Sequence, residues 1–297
     1  MAPIEAIDIG AATVLGARQF QEDRYTVAKP GTLSADKSLA CFAVFDGHGG
    51  SEVAEHARQN LVSRIDRRLK ICDDYEQAIS DALIEEDNAI RKTGMLQPGS
   101  TVALALVDIK RGTVVVADLG DSHVVLAEKG SEKKGDWKAK CLTEAQKPWS
   151  KGERERIHEA GGKLNRIYGE QRLGALNMSR SLGDMDYKQP AASWITSSAV
   201  IRDDLPKKEG SITGDLVSNE AHTMTRDLPA RSLLLLATDG VGEGPAAERV
   251  ARSAADLWDK KVPAQKIAAE LARRAEKQRY ADNCTIIVVC MRGSAAK

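Results

Sequence analysis

Neither sign of charge is in excess: Lys plus Arg and Asp plus Glu each number 43 in 297 residues, a formal net charge of zero. A protein that coats a polyanion or an acidic bilayer carries a basic surplus, so bulk electrostatics favour neither nucleic acid nor membrane as a partner. Long hydrophobic runs are also missing. Runs such as Leu233 to Ala237, and even the seven residues from Leu39 to Phe45, fall far short of the roughly 20 residues that span a bilayer. The N-terminus, MAPIEAIDIGAATVLG, has no basic region ahead of an apolar one and no Arg-rich amphipathic pattern, and Ala2 stands where myristoylation needs glycine. These absences imply a cytoplasmic or nuclear address. Cysteine is scarce: five residues, at 41, 72, 141, 284 and 290, an odd number with no CxxC pair. They read as reduced core residues, with a disulfide or a zinc site as the minor alternative. Repeats, low-complexity tracts and linkers are absent too, so residues 1–297 read as one domain.

Apolar patterning is plentiful. Hydrophobic residues make up 42% of the chain, enough to bury a substantial core. Strand-like runs occupy 41–45, 101–107, 112–119, 123–128, 232–238 and 284–291, several of them apolar on both faces. Helical spacing fills 51–70, 74–93, 150–160, 246–259 and 263–279, the last with Pro263 in its first turn. Gly112 and Gly120-Asp121 read as hairpin turns, which makes neighbouring strands antiparallel, and strands apolar on both faces need cover on both sides. The predicted fold class is α+β: a central antiparallel β-sandwich flanked by α-helices on both sides. Residues 187–231, rich in Ser, Thr, Asp and Pro, predict an irregular flap beside a site or a plain surface insertion.

The chemistry lies in acids at strand ends. They are Glu22-Asp23 in "GARQFQEDRY", Asp46 in "CFAVFDGHGG", Asp121 in "DLGDSHVV", Asp239 in "LLLLATDGVGEG" and Asp282 in "RYADNCTIIVV". Singly, each suits a turn or a cap equally well. Asp46, Asp239 and Asp282 abut strongly apolar runs, however, and a charge in that place needs a partner. Hard oxygen donors with no Cys or His cluster suit Mg²⁺ or Mn²⁺, and a carboxylate between two such ions can bridge them. The glycines after Asp46 would let a ligand reach main-chain carbonyls as well.

Taken in order, Arg18 with Glu22-Asp23, "FDGHGG" at 45–50, "GSTV" at 99–102, "GDS" at 120–122, "ERIHEAGG" at 155–162, "SRSLGDMDYK" at 179–188, "ATDG" at 237–240 and "DNCTIIVV" at 282–289 resemble the metal-dependent serine/threonine protein phosphatases of the PP2C (PPM) type. The resemblance covers nearly the whole chain and rests on order and spacing. It implies two metal ions, Mg²⁺ or Mn²⁺, bridged by Asp46 at one end of the sandwich. Gly47 would give its backbone carbonyl to one, Asp239 and Asp282 would complete one side, Glu22 would reach the other through water, and Asp23 would orient water ligands. Arg18 is implied to bind the substrate phosphate, the alternative being a solvated ion pair with a nearby acid. His48 is implied to protonate the leaving serine or threonine oxygen, the alternative being a structural histidine bonded to a carboxylate. The implied catalytic group is thus Asp46, His48, Asp239 and Asp282, acting on phosphoprotein substrates in a monomer.

The chain departs from the family pattern in places. "LTEAQKP" has Ala145 and Gln146 where Asp-His is usual, His123 replaces the Arg after "GDS", and Gly242-Glu243 replaces a Trp-Asp. Asp121 and Glu243 are therefore candidates for a third, weaker metal position. Two other functions compete: a catalytically weak pseudophosphatase used as a binding or sensor module, and another metal-dependent hydrolase such as a nuclease. Retention of Asp46, Asp239 and Asp282 argues against the first, because clustered buried carboxylates are costly without metals. Balanced charge argues against the second.

Overall fold

The computed structural model describes residues 3–129, 137–167, 169–189, 212–278 and 281–293. Its strands, in chain order, are β1 (Ile4–Val14), β2 (Arg24–Ala28), β3 (Leu39–Phe45), β4 (Gly47–His48), β5 (Gly99–Ser100), β6 (Val102–Asp108), β7 (Thr113–Leu119), β8 (His123–Lys129), β9 (Trp137–Cys141), β10 (Asn165–Ile167), β11 (Glu170–Arg172), β12 (Leu182–Gly183), β13 (His222–Asp227), β14 (Arg231–Ala237) and β15 (Cys284–Gly293). The helices are α1 (Glu52–Leu69), α2 (Tyr75–Lys92), α3 (Lys151–Glu159), α4 (Pro245–Asp259) and α5 (Ala264–Glu276). Each falls within one to three residues of its predicted span. Pro263 lies just before α5 as its cap residue, in extended conformation. Asp74 caps α2, accepting from the Glu76 and Gln77 amides at 3.0 and 3.2 Å.

Two five-stranded antiparallel sheets, ordered β1-β15-β14-β8-β9 and β13-β7-β6-β3-β2, form the sandwich. The doubly apolar strands explain the layering, because successive side chains point to opposite faces. Phe42 and Val44 of β3, Ala103 and Ala105 of β6, Leu234 and Leu236 of β14 and Ile287 and Val289 of β15 share one core between the sheets. The alternate residues of β3 and β6, among them Cys41, Phe45, Leu104 and Leu106, pack on Leu61 and Ile65 of α1 and Ile79 and Leu83 of α2. Those of β14 and β15, Leu233, Leu235, Ile286 and Val288, pack on Ala251 and Trp258 of α4 and Ile267 and Leu271 of α5. Helices therefore cover both outer faces, as predicted. All five cysteines are free, with Cys41, Cys284 and Cys290 buried.

Several strands were not expected. β1 pairs along its length with β15, Ile9 opposite Val289, so the two ends of the described chain meet in one sheet. β2, β9 and β13 each pair on one side only, and such edge strands keep polar residues on their open side, which hides them from an apolar search. β13 lies inside the stretch predicted as an irregular flap; of that stretch, 190–211 falls outside the described residues. The Gly112 turn is a hairpin, with the Gly112 amide bonded to the Asp108 carbonyl at 2.9 Å. Gly120-Asp121 is not. β7 belongs to one sheet and β8 to the other, so this turn crosses the sandwich edge. That crossing places Asp121 beside the ends of β3 and β14.

Candidate metal centre

Asp46 follows β3 and is held by a reciprocal contact with the β5–β6 junction. Its amide donates to Thr101 Oγ1 at 3.2 Å, and its carbonyl accepts from the Thr101 amide at 2.9 Å. Asp239 follows β14 through Thr238 and opens a short 3₁₀ turn, Asp239–Val241. Asp282 immediately precedes Asn283 and β15. Glu22 is tied to the same end of the sandwich because its amide donates to Asn283 Oδ1 at 2.8 Å, while Asn283 Nδ2 donates to the Leu15 carbonyl at 2.8 Å. Two glycines permit this close packing. A Cβ at Gly47 would lie 2.5 Å from the Glu22 carbonyl oxygen, and one at Gly240 would lie 2.2 Å from that of Asn283. Larger residues would push apart the segments that carry the acids.

Charge follows from this crowding. The Asp46 carboxyl titrates well above the usual carboxylate range because it is buried, and because Asp23, Asp239, Asp121 and Asp282 add like charge around it. Asp239 is pushed up to about 7 by burial and then by the charges of Asp121 and Asp282. Asp23 rises to about 6, chiefly by burial, against the lowering effect of hydrogen bonds from Thr285 and Thr238. Thr238 Oγ1 donates to Asp23 Oδ2 at 2.9 Å, whereas Asp23 Oδ1 is buried with no hydrogen-bond partner among the described residues. Acids held together against mutual repulsion, with an orphaned oxygen among them, fit divalent cations bound through oxygen.

The remaining predicted residues take defined places around the acids. Arg18 is exposed and donates from Nη2 to Asp282 Oδ2 at 2.6 Å. His48 Nε2 lies 2.9 and 2.8 Å from the two oxygens of Asp184, and Nδ1 is buried without a partner among the described residues. Burial alone would lower the His48 pKa, but the charge and hydrogen bond of Asp184 outweigh it and raise it. Oxygens of Asp121, Asp239 and Glu243 lie within 4.8 Å of one another, close enough to hold a metal ion. The amine of Lys147 is 2.5 Å from Asp121 Oδ2 and 2.6 Å from Glu243 Oε1.

Four residues escaped the sequence reading: Asp184, Lys188, Asp87 and Lys147. Asp184 adopts left-handed backbone geometry (φ 50°) and also accepts from Ser181 Oγ at 2.5 Å. Its signal was present in "SRSLGDMDYK", an acid after glycine at the start of a short turn. Lys188 and Asp87 form a fully buried ion pair at 2.8 Å that anchors this segment to α2, with the Gly183 amide on the same Asp87 oxygen. No local pattern joins residues 101 apart. Lys147 stands in "QKP", and its partners depend on the sheet crossing at Gly120.

A family model described as Protein phosphatase 2C matches residues 7–284. The chain is 28% identical over 298 residues to Probable protein phosphatase 2C 22 of Arabidopsis thaliana, covering 97% of this chain and 69% of that protein. It is 29% identical over 283 residues to Probable protein phosphatase 2C 45 of Oryza sativa subsp. japonica, covering 94% and 86%. In fold it is similar to serine-threonine phosphatase 2C from Toxoplasma gondii, with a TM-score of 0.71 and 22% identity over 98% of each chain. A C. elegans sex determining protein gives 0.74 and 23%, covering 97% of this chain and 66% of the other. Matched across its length by the family model and by plant relatives, the chain belongs to the protein phosphatase 2C family, metal-dependent enzymes that dephosphorylate serine and threonine in proteins.

Proposed function

We propose that this chain hydrolyses phosphoserine and phosphothreonine with two Mg²⁺ or Mn²⁺ ions held by Asp46, the Gly47 carbonyl, Asp239 and Asp282, with Glu22 acting through water and Asp23 orienting water ligands. The observation that carries this reading is the gathering of Asp23, Asp46, Asp121, Asp239 and Asp282 at one end of the sandwich, where burial first and neighbouring like charge second hold the carboxyls of Asp23, Asp46 and Asp239 above their ordinary range. When bound, two such ions supply an activated water and offset the charge of the phosphoryl group. The side chains do the rest. Arg18, exposed beside Asp282, offers a planar fork to the phosphate dianion. Asp184 at Nε2 favours the protonated form of His48, so that Nδ1–H is the donor for the leaving oxygen. Asp184 is in turn fixed by Ser181 and, through Ser181 and Gly183, by the Lys188–Asp87 pair. No side chain is required as a nucleophile, so no phosphoenzyme forms.

The same reading takes the chain to act on phosphoproteins as a monomer in the cytoplasm or nucleus, without nucleic acid or membrane as a partner. No helix among the described residues is long and apolar enough to cross a membrane, and the formal charge is balanced. The test is turnover of a phosphothreonine peptide with Mn²⁺, with Mg²⁺ and with EDTA. Turnover with either ion and none with EDTA is expected. A folded protein inactive with both ions would overturn the proposal.

A further inference from the structure

The outer acids beside the two-ion site already hold a cation. Lys147 is 4% exposed, and its ammonium bonds to Asp121 and Glu243, two of the three residues whose oxygens could hold a metal ion there. Its position is fixed by the residue before it. The Gln146 amide donates to the Gly120 carbonyl at 2.9 Å, Gln146 Oε1 accepts from the Gly120 amide at 2.6 Å, and Gln146 Nε2 donates to Asp118 Oδ2 at 2.8 Å. Gln146 thus fastens the Lys147 loop to the turn that carries Asp121. On the far side the ammonium lies 5.8 Å from the centre of the Trp149 ring, a cation–π distance. Acids, ring and loop together form a seat for one positive charge.

A divalent ion bound through the same oxygens of Asp121 and Glu243 would lie beside the ammonium and repel it, so seating the ion there works against keeping the lysine in place. Displacement would move Lys147 out of a buried position and break two charge-assisted hydrogen bonds. Asp121 Oδ1, buried and without a partner among the described residues, is the one oxygen of that carboxylate the amine leaves over. We propose that Lys147 is the built-in outer cation of this chain, filling with its ammonium the position at Asp121 and Glu243 in place of a third divalent ion. The inference rests on the proposed two-ion site for its setting but concerns only the outer acids. It gives the site a fixed positive charge that does not depend on metal supply.

The test counts bound Mn²⁺ per chain, from the electron paramagnetic resonance signal of free Mn²⁺, in wild type, Lys147→Gln and Lys147→Gln/Glu243→Gln. The expected result is one more ion in Lys147→Gln than in wild type, lost again in the double variant. A count unchanged by Lys147→Gln overturns the proposal. So does an extra ion that survives removal of the Glu243 charge. The absolute count in wild type tests the inner site separately: two ions support it, and none sinks it, while the difference between variants still reads the outer position. A second measurement needs only the wild type and Trp149→Phe. Paramagnetic Mn²⁺ at the ammonium position would quench Trp149 beyond any effect of the inner ions, so once the inner site is filled the fluorescence difference between these two proteins should not change further as Mn²⁺ rises into the millimolar range. A second, separate saturable quenching phase confined to Trp149 would place a divalent ion where the lysine should be.

Discussion

Asp239 shows most directly what its surroundings ask of a single carboxylate. It lies buried at the end of an apolar strand and crowded by Asp121 and Asp282, so its negative charge is unfavourable without a cation beside it. Asp239→Asn keeps the shape and removes the charge. Turnover of a phosphothreonine peptide should fall by orders of magnitude, because metal-assisted water activation supplies several kcal/mol of barrier lowering. Melting in EDTA should be at least as high as in wild type, and Mn²⁺ should raise it less. Melting well below the metal-free wild type with activity retained would make Asp239 a cap. Arg18 offers a complementary test. Its guanidinium occupies Asp282, so Arg18→Ala should raise KM strongly while leaving Mn²⁺ affinity unchanged or higher. An unchanged KM with weakened Mn²⁺ binding would show the arginine to be structural.

At the scale of elements, the segment from Ser181 to Lys188 depends on α2. Asp87 on α2 receives Lys188 Nζ at 2.8 Å, the Gly183 amide at 2.9 Å and Asn219 Nδ2 at 2.8 Å, with both charged side chains fully buried. Asp87→Ala would leave the Lys188 ammonium without its counter-ion, a loss of about 3–5 kcal/mol in urea unfolding. A cost under about 1 kcal/mol, the level of an exposed pair, would show that the segment is held by something else. Phe42→Ala, in the core between the sheets, should cost about 3–5 kcal/mol by the same measurement. These elements differ in how legible they were. β3, β6, β14 and β15 are apolar on both faces because each separates two cores, and continuous apolar runs are conspicuous. β1 and β13 are edge strands whose mixed residues match no apolar period, and the anchoring of "SRSLGDMDYK" on α2 needs a contact across about a hundred residues.

At the scale of the whole molecule, the clustered acids couple stability to pH and metal. The folded values of Asp23, about 6, and Asp239, about 7, lie above the unfolded 3.8. Their contribution is therefore fully present below about pH 4 and lost as pH rises through the folded values. His48 and His222, both raised, act in the same direction, while His123, lowered by burial, acts oppositely. Thermal unfolding in EDTA should show a melting temperature that falls from about pH 5 to about pH 8, with a flatter profile for Asp239→Asn. Mn²⁺ selects the ionised carboxylates, so the rise in melting temperature it produces should grow over the same interval. A pH-independent Mn²⁺ effect would argue that the acids are not its ligands.

By itself the sequence determined the layers and the identity of the acids. Burial on both faces demands continuous apolar strands, and helices with one apolar stripe must cover them. A charge at the end of such a strand announces itself locally, as Asp46 and Asp239 do. Only the tertiary structure decided which side chains meet. The turn at Gly120 looks like a hairpin in one dimension, and only the pairing of β7 with β6 and of β8 with β14 shows that it crosses between sheets and delivers Asp121 to Lys147. Asp184 and His48, and Lys188 and Asp87, are likewise brought together by packing between distant segments. Hydrogen bonds and ion pairs act over a few ångströms in space, and separation along the chain carries no record of them.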